Sequence, residues 1–435
     1  MLMGIALLAA LLLTGCATRT IQEMYSLPKR SVEYDQLQSA IDIAMAGLEY
    51  SAPLSGENQQ AVQMADLNGD GTDEYLVFAK GMSDKPMQIL IFSQNEEKIE
   101  ITELISSNGT AFDLVEYADI DGKPGLELVV GRQVSEQLMR SAAVYSFASG
   151  RAERLMNAGY TKLLTCDLGS SREKEILLIQ RGETDTENAV AVLYRYRSKS
   201  MTRSMEAVLS RPASDIKQVT EGKLQCGTPA VYVSSAVEGS AIRTDILSLK
   251  DDKFVRLNVS REEESHVQTL RNYYIYAEDV DHDGIMEIPS LIAMHPITAS
   301  WNLEEQYTIG WYSVDLDGNR IDKCHSFHNF TDGWYLELSN AWADQITVNQ
   351  VGNTYAFYLW DEEFTEATAA FTVYALSGSD RQTQAAVDGR FALYQGESVI
   401  YAAKLETDLS RFEIDEAYMI NSFHVIRHEW NTGAA

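Results

Sequence analysis

Residues 63–80 read QMADLNGDGTDEYLVFAK. Side-chain oxygens fall at Asp66, Asn68 and Asp70, glycines interleave at Gly69 and Gly71, and a strand-prone run follows at once. Counting Asp66 as position 1, the oxygens occupy positions 1, 3 and 5, the carbonyl of Thr72 occupies 7, and Glu74 occupies 9. Acids at alternate positions of a tight loop converge on one point. Ca2+ is a hard cation that takes about six to eight oxygens at roughly 2.3–2.6 Å, and a glycine after position 5 permits the sharp turn. An EF-hand opens the same way but requires a bidentate glutamate at position 12 and a following helix. Here position 12 is Val77, within the strand-prone run. In such a loop the ion occupies every ligand, whereas a catalytic metal keeps an open position beside a substrate. The expected metal is therefore structural. The metal-free alternative is an Asx-rich turn held by side chain-to-backbone hydrogen bonds.

The pattern recurs. Aspartates at Asp66, Asp119, Asp167 and Asp279 are each followed eight residues later by a glutamate, at Glu74, Glu127, Glu175 and Glu287, and then by an apolar run. The first three aspartates are 53 and 48 residues apart, and the 112 residues from Asp167 to Asp279 leave room for one further unit. TEGKLQCGTPAVYVSS, residues 220–235, fits that place with its strand kept and its acids lost. A period near 50 residues built of short strands predicts a β-propeller, one four-stranded blade per repeat. The 22 tyrosines and 8 prolines suit a strand-rich chain. The reading is a mainly β protein, with a propeller of about five four-stranded blades over residues 50–325 and a small α+β domain over 328–435. Apolar residues at Tyr34, Leu37, Ile41, Ala44, Met45 and Leu48 step by threes and fours, which predicts an amphipathic helix over 33–49. A second helix is expected over about 414–425.

DVDHDGIME, residues 279–287, repeats the full ligand pattern with Asp279, Asp281, Asp283, the carbonyl of Ile285 and Glu287. About two Ca2+ sites are expected, at Asp66, Asn68, Asp70, Thr72 and Glu74 and at these five residues. Lys123 replaces the acid at position 5 of the second loop and is expected to exclude Ca2+. The third loop carries Gly169 and Ser171 at positions 3 and 5. The four segments resemble FG-GAP/VCBS repeats, the blades of integrin-α-like propellers, although that family usually has Asp where this chain has Glu at position 9. The resemblance implies an extracytoplasmic binding or interaction role. The opening of the last domain, WYLELSNAWADQITV, is weakly similar to small Mog1/PsbP-like domains, which adds no function.

Hydrophobic residues at 45% and charged residues at 23% place the chain among folded globular proteins. With 64 acidic and 35 basic residues the net charge is −29. That charge repels phosphate backbones, so nucleic acid is not an expected partner. The start, MLMGIALLAALLLTGC, resembles the lipobox signal peptide of bacterial lipoproteins. The resemblance implies a lipoprotein signal peptide over residues 1–16 cleaved just before Cys16, lipidation of Cys16 as the new N-terminus, a tether over 17–32 and an extracytoplasmic, lipid-anchored location. No Lys or Arg precedes Cys16, a departure from the usual positive n-region. Cys166, Cys226 and Cys324 are too few and too widely spaced for a disulfide framework and read as buried thiols. CHSFH, with Cys324, His325 and His328, lacks the second ligand cluster that zinc needs, as RHEW at 427–430 lacks a zincin's second histidine. No catalytic residues are assigned. The expected partner is a protein or carbohydrate at the cell surface. The rival reading is a propeller-based hydrolase or lyase acting on an envelope or extracellular polysaccharide, which would need convergent carboxylates, His or Arg in a central pocket.

Overall fold

The apolar run after each of the first three aspartate loops becomes an inner strand of its sheet, buried from both sides, whereas the run after Asp279 forms the edge strand of its sheet. A computed structural model of the chain describes residues 32–95, 98–134, 140–169, 172–237, 241–257, 269–272, 275–297 and 307–426. The expected signal peptide with Cys16, most of the expected tether and the RHEW segment lie outside the described residues. The described residues are mainly β, with six antiparallel sheets of four or five strands.

The first sheet holds β1 (Glu49–Tyr50), β2 (Val62–Ala65), β3 (Glu74–Lys80), β4 (Met87–Asn95) and β5 (Lys98–Ser107). The second holds β6 (Ala111–Ala118), β7 (Glu127–Gln133), β8 (Arg140–Ser146) and β9 (Glu153–Tyr160). The third holds β10 (Lys162–Cys166), β11 (Glu175–Gln180), β12 (Asn188–Arg197) and β13 (Ser200–Pro212). The fourth, β14 (Ile216–Lys223), β15 (Pro229–Val237), β16 (Ala241–Lys250) and β17 (Lys253–Arg256), forms where the eroded unit is expected. In the fifth, β18 (Ile288–Ala293), β19 (Tyr307–Val314), β20 (Arg320–Asn329) and β21 (Trp334–Leu338) are joined by β27 (Phe423–Val425). The sixth contains β22 (Ile346–Val351), β23 (Thr354–Trp360), β24 (Ala367–Ser377), β25 (Phe391–Gln395) and β26 (Val399–Leu405). Strands of the second, third and fourth sheets follow one another as four-stranded meanders, the strand order of a propeller-like fold.

Each sheet packs on the next in chain order. Phe78 and Ile91 meet Phe112 and Val130, and Val129 and Val144 meet Ile176 and Leu178. Leu177 and Leu193 meet Val231 and Leu247, Tyr232 and Ile246 meet Ile288 and Tyr312, and Trp334 and Leu336 meet Phe357 and Phe371. Burial from both sides explains why β3 (EYLVFAK) and β11 (EILLIQ) read as continuous apolar runs rather than alternating ones. Each large side chain so buried contributes about 1.5–3 kcal/mol. The outer face of the first sheet is covered by helix α1 (Val32–Ala44), whose Ile41 reaches Val77, Leu90 and Phe92.

The structure corrects several boundaries. Helix α1 stops at Ala44 rather than 49, because Gly47 takes a left-handed conformation (φ 80°) and Glu49–Tyr50 then pairs with β3. The boundary expected at 325–328 falls inside β20, and WYLEL, expected to open the last domain, is β21 of the fifth sheet. Helix α2 (Arg381–Gln384) is a single turn between β24 and β25. The final helix, α3 (Glu416–Ser422), is shorter than expected. Asp415 caps it by accepting from the Tyr418 amide at 2.7 Å, and Phe423–Val425 leaves it as β27, pairing with β21. Of the three thiols expected to be buried, Cys166 is buried, Cys324 is intermediate and Cys226 is exposed.

Candidate metal centre

Strand register builds the repeated loop. Ala65 pairs with Glu74, Ala118 with Glu127, Cys166 with Glu175 and Glu278 with Glu287, so each glutamate closes its loop opposite the residue before the aspartate. The four glutamates are 5%, 3%, 4% and 0% exposed. Each accepts through Oε2 from the amide of the apolar residue after the aspartate. The distances are 2.9 Å from Leu67, 2.8 Å from Ile120, 2.8 Å from Leu168 and 3.1 Å from Val280. Those four apolar residues are themselves buried and anchor the loops to the core. Position 9 thus has a task that needs no metal. This explains why the third repeat keeps Glu175 after losing the acids at positions 3 and 5.

The second oxygen of each glutamate meets a different environment. Glu74 Oε1 accepts from Asn68 Nδ2 at 2.7 Å and from Ser93 Oγ at 3.4 Å. In the second repeat Ser146 Oγ donates to Asp121 Oδ2 at 3.4 Å, and in the third Arg195 Nε donates to Glu175 Oε1 at 2.7 Å. Ser93, Ser146, Arg195 and Ser313 each follow a residue registered one place from the glutamate: Phe92 faces Tyr75, Tyr145 faces Leu128, Tyr194 faces Ile176, and Tyr312 faces Ile288. These third-strand residues are absent from the site expected from sequence. Their signal is an aromatic residue followed by Ser or Arg, in IFS, VYS, LYR and WYS. Ser313 donates instead to Gln225 at 2.6 Å, and Glu287 Oε1 is left buried with no hydrogen-bond partner.

In the fifth loop one oxygen of each acid holds the backbone. Asp279 Oδ2 accepts from the Gly284 amide at 3.1 Å, Asp281 Oδ1 from Asp283 at 3.2 Å, and Asp283 Oδ1 from Ile285 at 2.8 Å. Asp279 Oδ1, like Glu287 Oε1, is buried without a partner. Ligand oxygens of Asp279, Asp281 and Asp283 lie within 4.8 Å of one another. His282 takes a left-handed φ of 59°, as do the glycines at the same loop position, Gly69 and Gly122. Burial, reinforced by the Asp281 and Asp283 carboxylates, pushes the Glu287 carboxyl up to about 8. Converging hard oxygens with two buried orphans and mutual repulsion call for a counter-charge. The fifth loop fits a hard divalent cation.

The first loop is arranged differently. Asp66 accepts from the Gly69 and Gly71 amides at 2.7 and 3.0 Å, Asn68 Oδ1 from Asp70 at 2.8 Å, and Asp70 Oδ1 from Thr72 at 2.8 Å. These are Asx turns, and the Asn68 amide nitrogen faces Glu74. Two groups of three carboxylates are gathered among the described residues: the fifth-loop aspartates, and Asp119, Asp121 and Glu127 of the second loop. The second loop therefore brings its acids together even though Lys123 replaces a ligand, and the Lys123 ammonium pairs with Asp121. In the third loop the Gly169 amide donates to Glu175 at 3.1 Å, while Ser171 lies outside the described residues. Cys324, His325 and His328 are not gathered as a metal group among the described residues. His325 Nδ1 meets Asn340 Oδ1 at 2.8 Å, and His328 is partly buried beside Trp311, Phe330 and Tyr335.

Backbone hydrogen bonds join neighbouring loops into a row at one end of the sheets. Leu126 N donates to the Asp66 carbonyl at 2.9 Å, Lys174 N to Asp119 at 2.7 Å, and Met286 N to Lys223 at 2.9 Å. In the eroded fourth loop Gly222 pairs with Ala230, and Pro229 stands just before Ala230 without an N–H to donate. There the Glu221 side chain accepts from the Asp167 amide at 2.9 Å instead. Gly125 (φ 98°) allows the close approach, since a Cβ there would lie 2.5 Å from the Leu67 carbonyl. Over this row opens a polar cleft of about 470 Å³, lined by Lys174, Arg195, Tyr196, Arg197 and Asp252 among others.

No protein family matches the chain by sequence, and no curated protein matches it. Solved structures do. One is a protein from Lactobacillus plantarum, with 10% identity and a TM-score of 0.28, covering 74% of this chain and 94% of that one. Another is an exotype rhamnogalacturonan lyase, with 11% identity and a TM-score of 0.28, covering 76% of this chain and 67% of that one. Superposition at this level carries no weight for the chemistry.

Proposed function

We propose that this protein is a lipid-anchored, extracytoplasmic binding protein whose five repeats form an FG-GAP/VCBS-type propeller stabilised by calcium. The observation that carries the metal reading is the pair of buried, partnerless oxygens, Asp279 Oδ1 and Glu287 Oε1, in a loop whose other acids converge beside them. Asp279, Asp281, Asp283 and Glu287, with the Ile285 carbonyl, would hold the ion, and Asp66, Asn68, Asp70, Thr72 and Glu74 are the second candidate set. Bound calcium supplies charge that fixes the loop. The residues themselves fasten the turn to the core through the Val280 amide and to the fourth repeat through Met286.

The binding face in this reading is the loop-bearing end. Its cleft presents Lys174, Arg197 and Asp252 with the Tyr196 ring, a mixture suited to a polar surface such as a protein or a carbohydrate. The lipobox-like start would hold that face at the membrane through Cys16, with residues 17–32 as tether. Cys16→Ser tests the anchor. The wild-type protein is expected in the membrane fraction, labelled by radioactive palmitate, and the variant unlabelled in the soluble fraction. An unlabelled wild-type protein would end the lipoprotein reading.

A further inference from the structure

The fifth loop has a cation of its own chain beside it. Lys323 comes from β20, its side chain is 14% exposed, and its Nζ lies 2.6 Å from Asp283 Oδ2. That is the oxygen of Asp283 left over after Oδ1 has accepted from the Ile285 amide. Two other repeats use in-chain cations in a related way: Lys123 pairs with Asp121 in the second, and Arg195 with Glu175 in the third. In those repeats position 5 is no longer an acid. In the fifth, the acid remains and the cation arrives from a neighbouring strand.

We propose that Lys323 is a built-in competitor of the metal, whose ammonium holds the Asp283 ligand position in the metal-free protein and is displaced when a divalent cation binds. The proposal rests on the calcium reading of the fifth loop. An ammonium and a divalent ion cannot share one carboxylate at contact distance without strong repulsion, so one must leave. The lysine's flexible four-carbon stem lets its head group swing away, which a planar, forked guanidinium does less readily. The device has two effects. It keeps the acidic loop folded without metal, and it lowers metal affinity by the free energy of breaking the Lys323–Asp283 pair. That shifts binding toward the weak range of extracellular calcium modules, about 10⁻⁴–10⁻³ M.

The test is calorimetric titration of CaCl2 into the metal-stripped protein, in an Asp70→Ala background that silences the first loop. Lys323→Met and Lys323→Gln are expected to bind about tenfold or more tightly than the parent, and Lys323→Arg no more tightly than the parent. In chelator, Lys323→Met should melt below the parent, and in saturating calcium the gap should close. Equal or weaker calcium binding by both neutral variants overturns the proposal. Absence of calcium heat from all four proteins instead removes the metal reading on which it stands, so the two failures are told apart.

Discussion

Glu175→Ala is expected to destabilise the protein by about 3 kcal/mol, the low end of the cost of breaking a buried ion pair, whatever the calcium concentration. Glu175 is 4% exposed. It accepts from the Leu168 and Gly169 amides and receives Arg195 Nε at 2.7 Å. Removing the carboxylate strands two amides and leaves the Arg195 guanidinium, itself mostly buried, without its counter-charge. Each loss carries a desolvation cost that no rearrangement of a tight loop avoids. Glu175→Gln should cost less, because its oxygen still accepts from the amides. Urea denaturation with and without calcium checks this. Restoration of Glu175→Ala by calcium would show that the third repeat binds metal after all, and that Arg195 does not stand in for the ion there.

The second large effect is at low pH. His328 is partly buried, its ring packed against Trp311, Phe330 and Tyr335, and desolvation holds its imidazole down at about 3 instead of its usual 6.5. The unfolded chain takes up a proton on this side chain as pH falls through 6.5, while the folded protein does so only near 3. Between those values the unfolded state binds more protons, so stability falls as pH falls. The slope from this residue approaches about 1.4 kcal/mol per pH unit. His328→Phe keeps an aromatic ring beside Trp311 and Tyr335 and removes the titration. The variant should show a flatter stability profile between pH 6.5 and 3, measured by urea melts. An unchanged slope would mean that other groups carry the acid sensitivity.

Much of this architecture is legible in the chain because the repeat signal is local. An aspartate, a glutamate eight residues on and an apolar run all lie within one loop and one strand, so spacing alone locates four of the sheets. The fourth sheet follows from the gap between Asp167 and Asp279. What stays hidden depends on partners distant in sequence. Arg195 and Ser93 reach their glutamates only through strand register, and Lys323 reaches Asp283 across 40 residues. Strand β27 reads in the sequence as the end of a helix, because its pairing with β21 leaves no local trace. The glutamate at position 9 reads there as a metal ligand. Its bond to the backbone of its own loop, made in all four acidic repeats, is visible only once the turn is folded.

The central claim is that the repeated acidic loop holds calcium where its oxygens are left free. The most direct measurement is a calcium titration of the metal-stripped protein by calorimetry, beside the Asp70→Ala, Asp283→Ala double variant. The account predicts a calcium site at the fifth loop of the parent, none in the double variant, and a melting temperature that chelator lowers only in the parent. No calcium heat in the parent, with a melting temperature indifferent to chelator, would contradict it and leave these loops as metal-free turns.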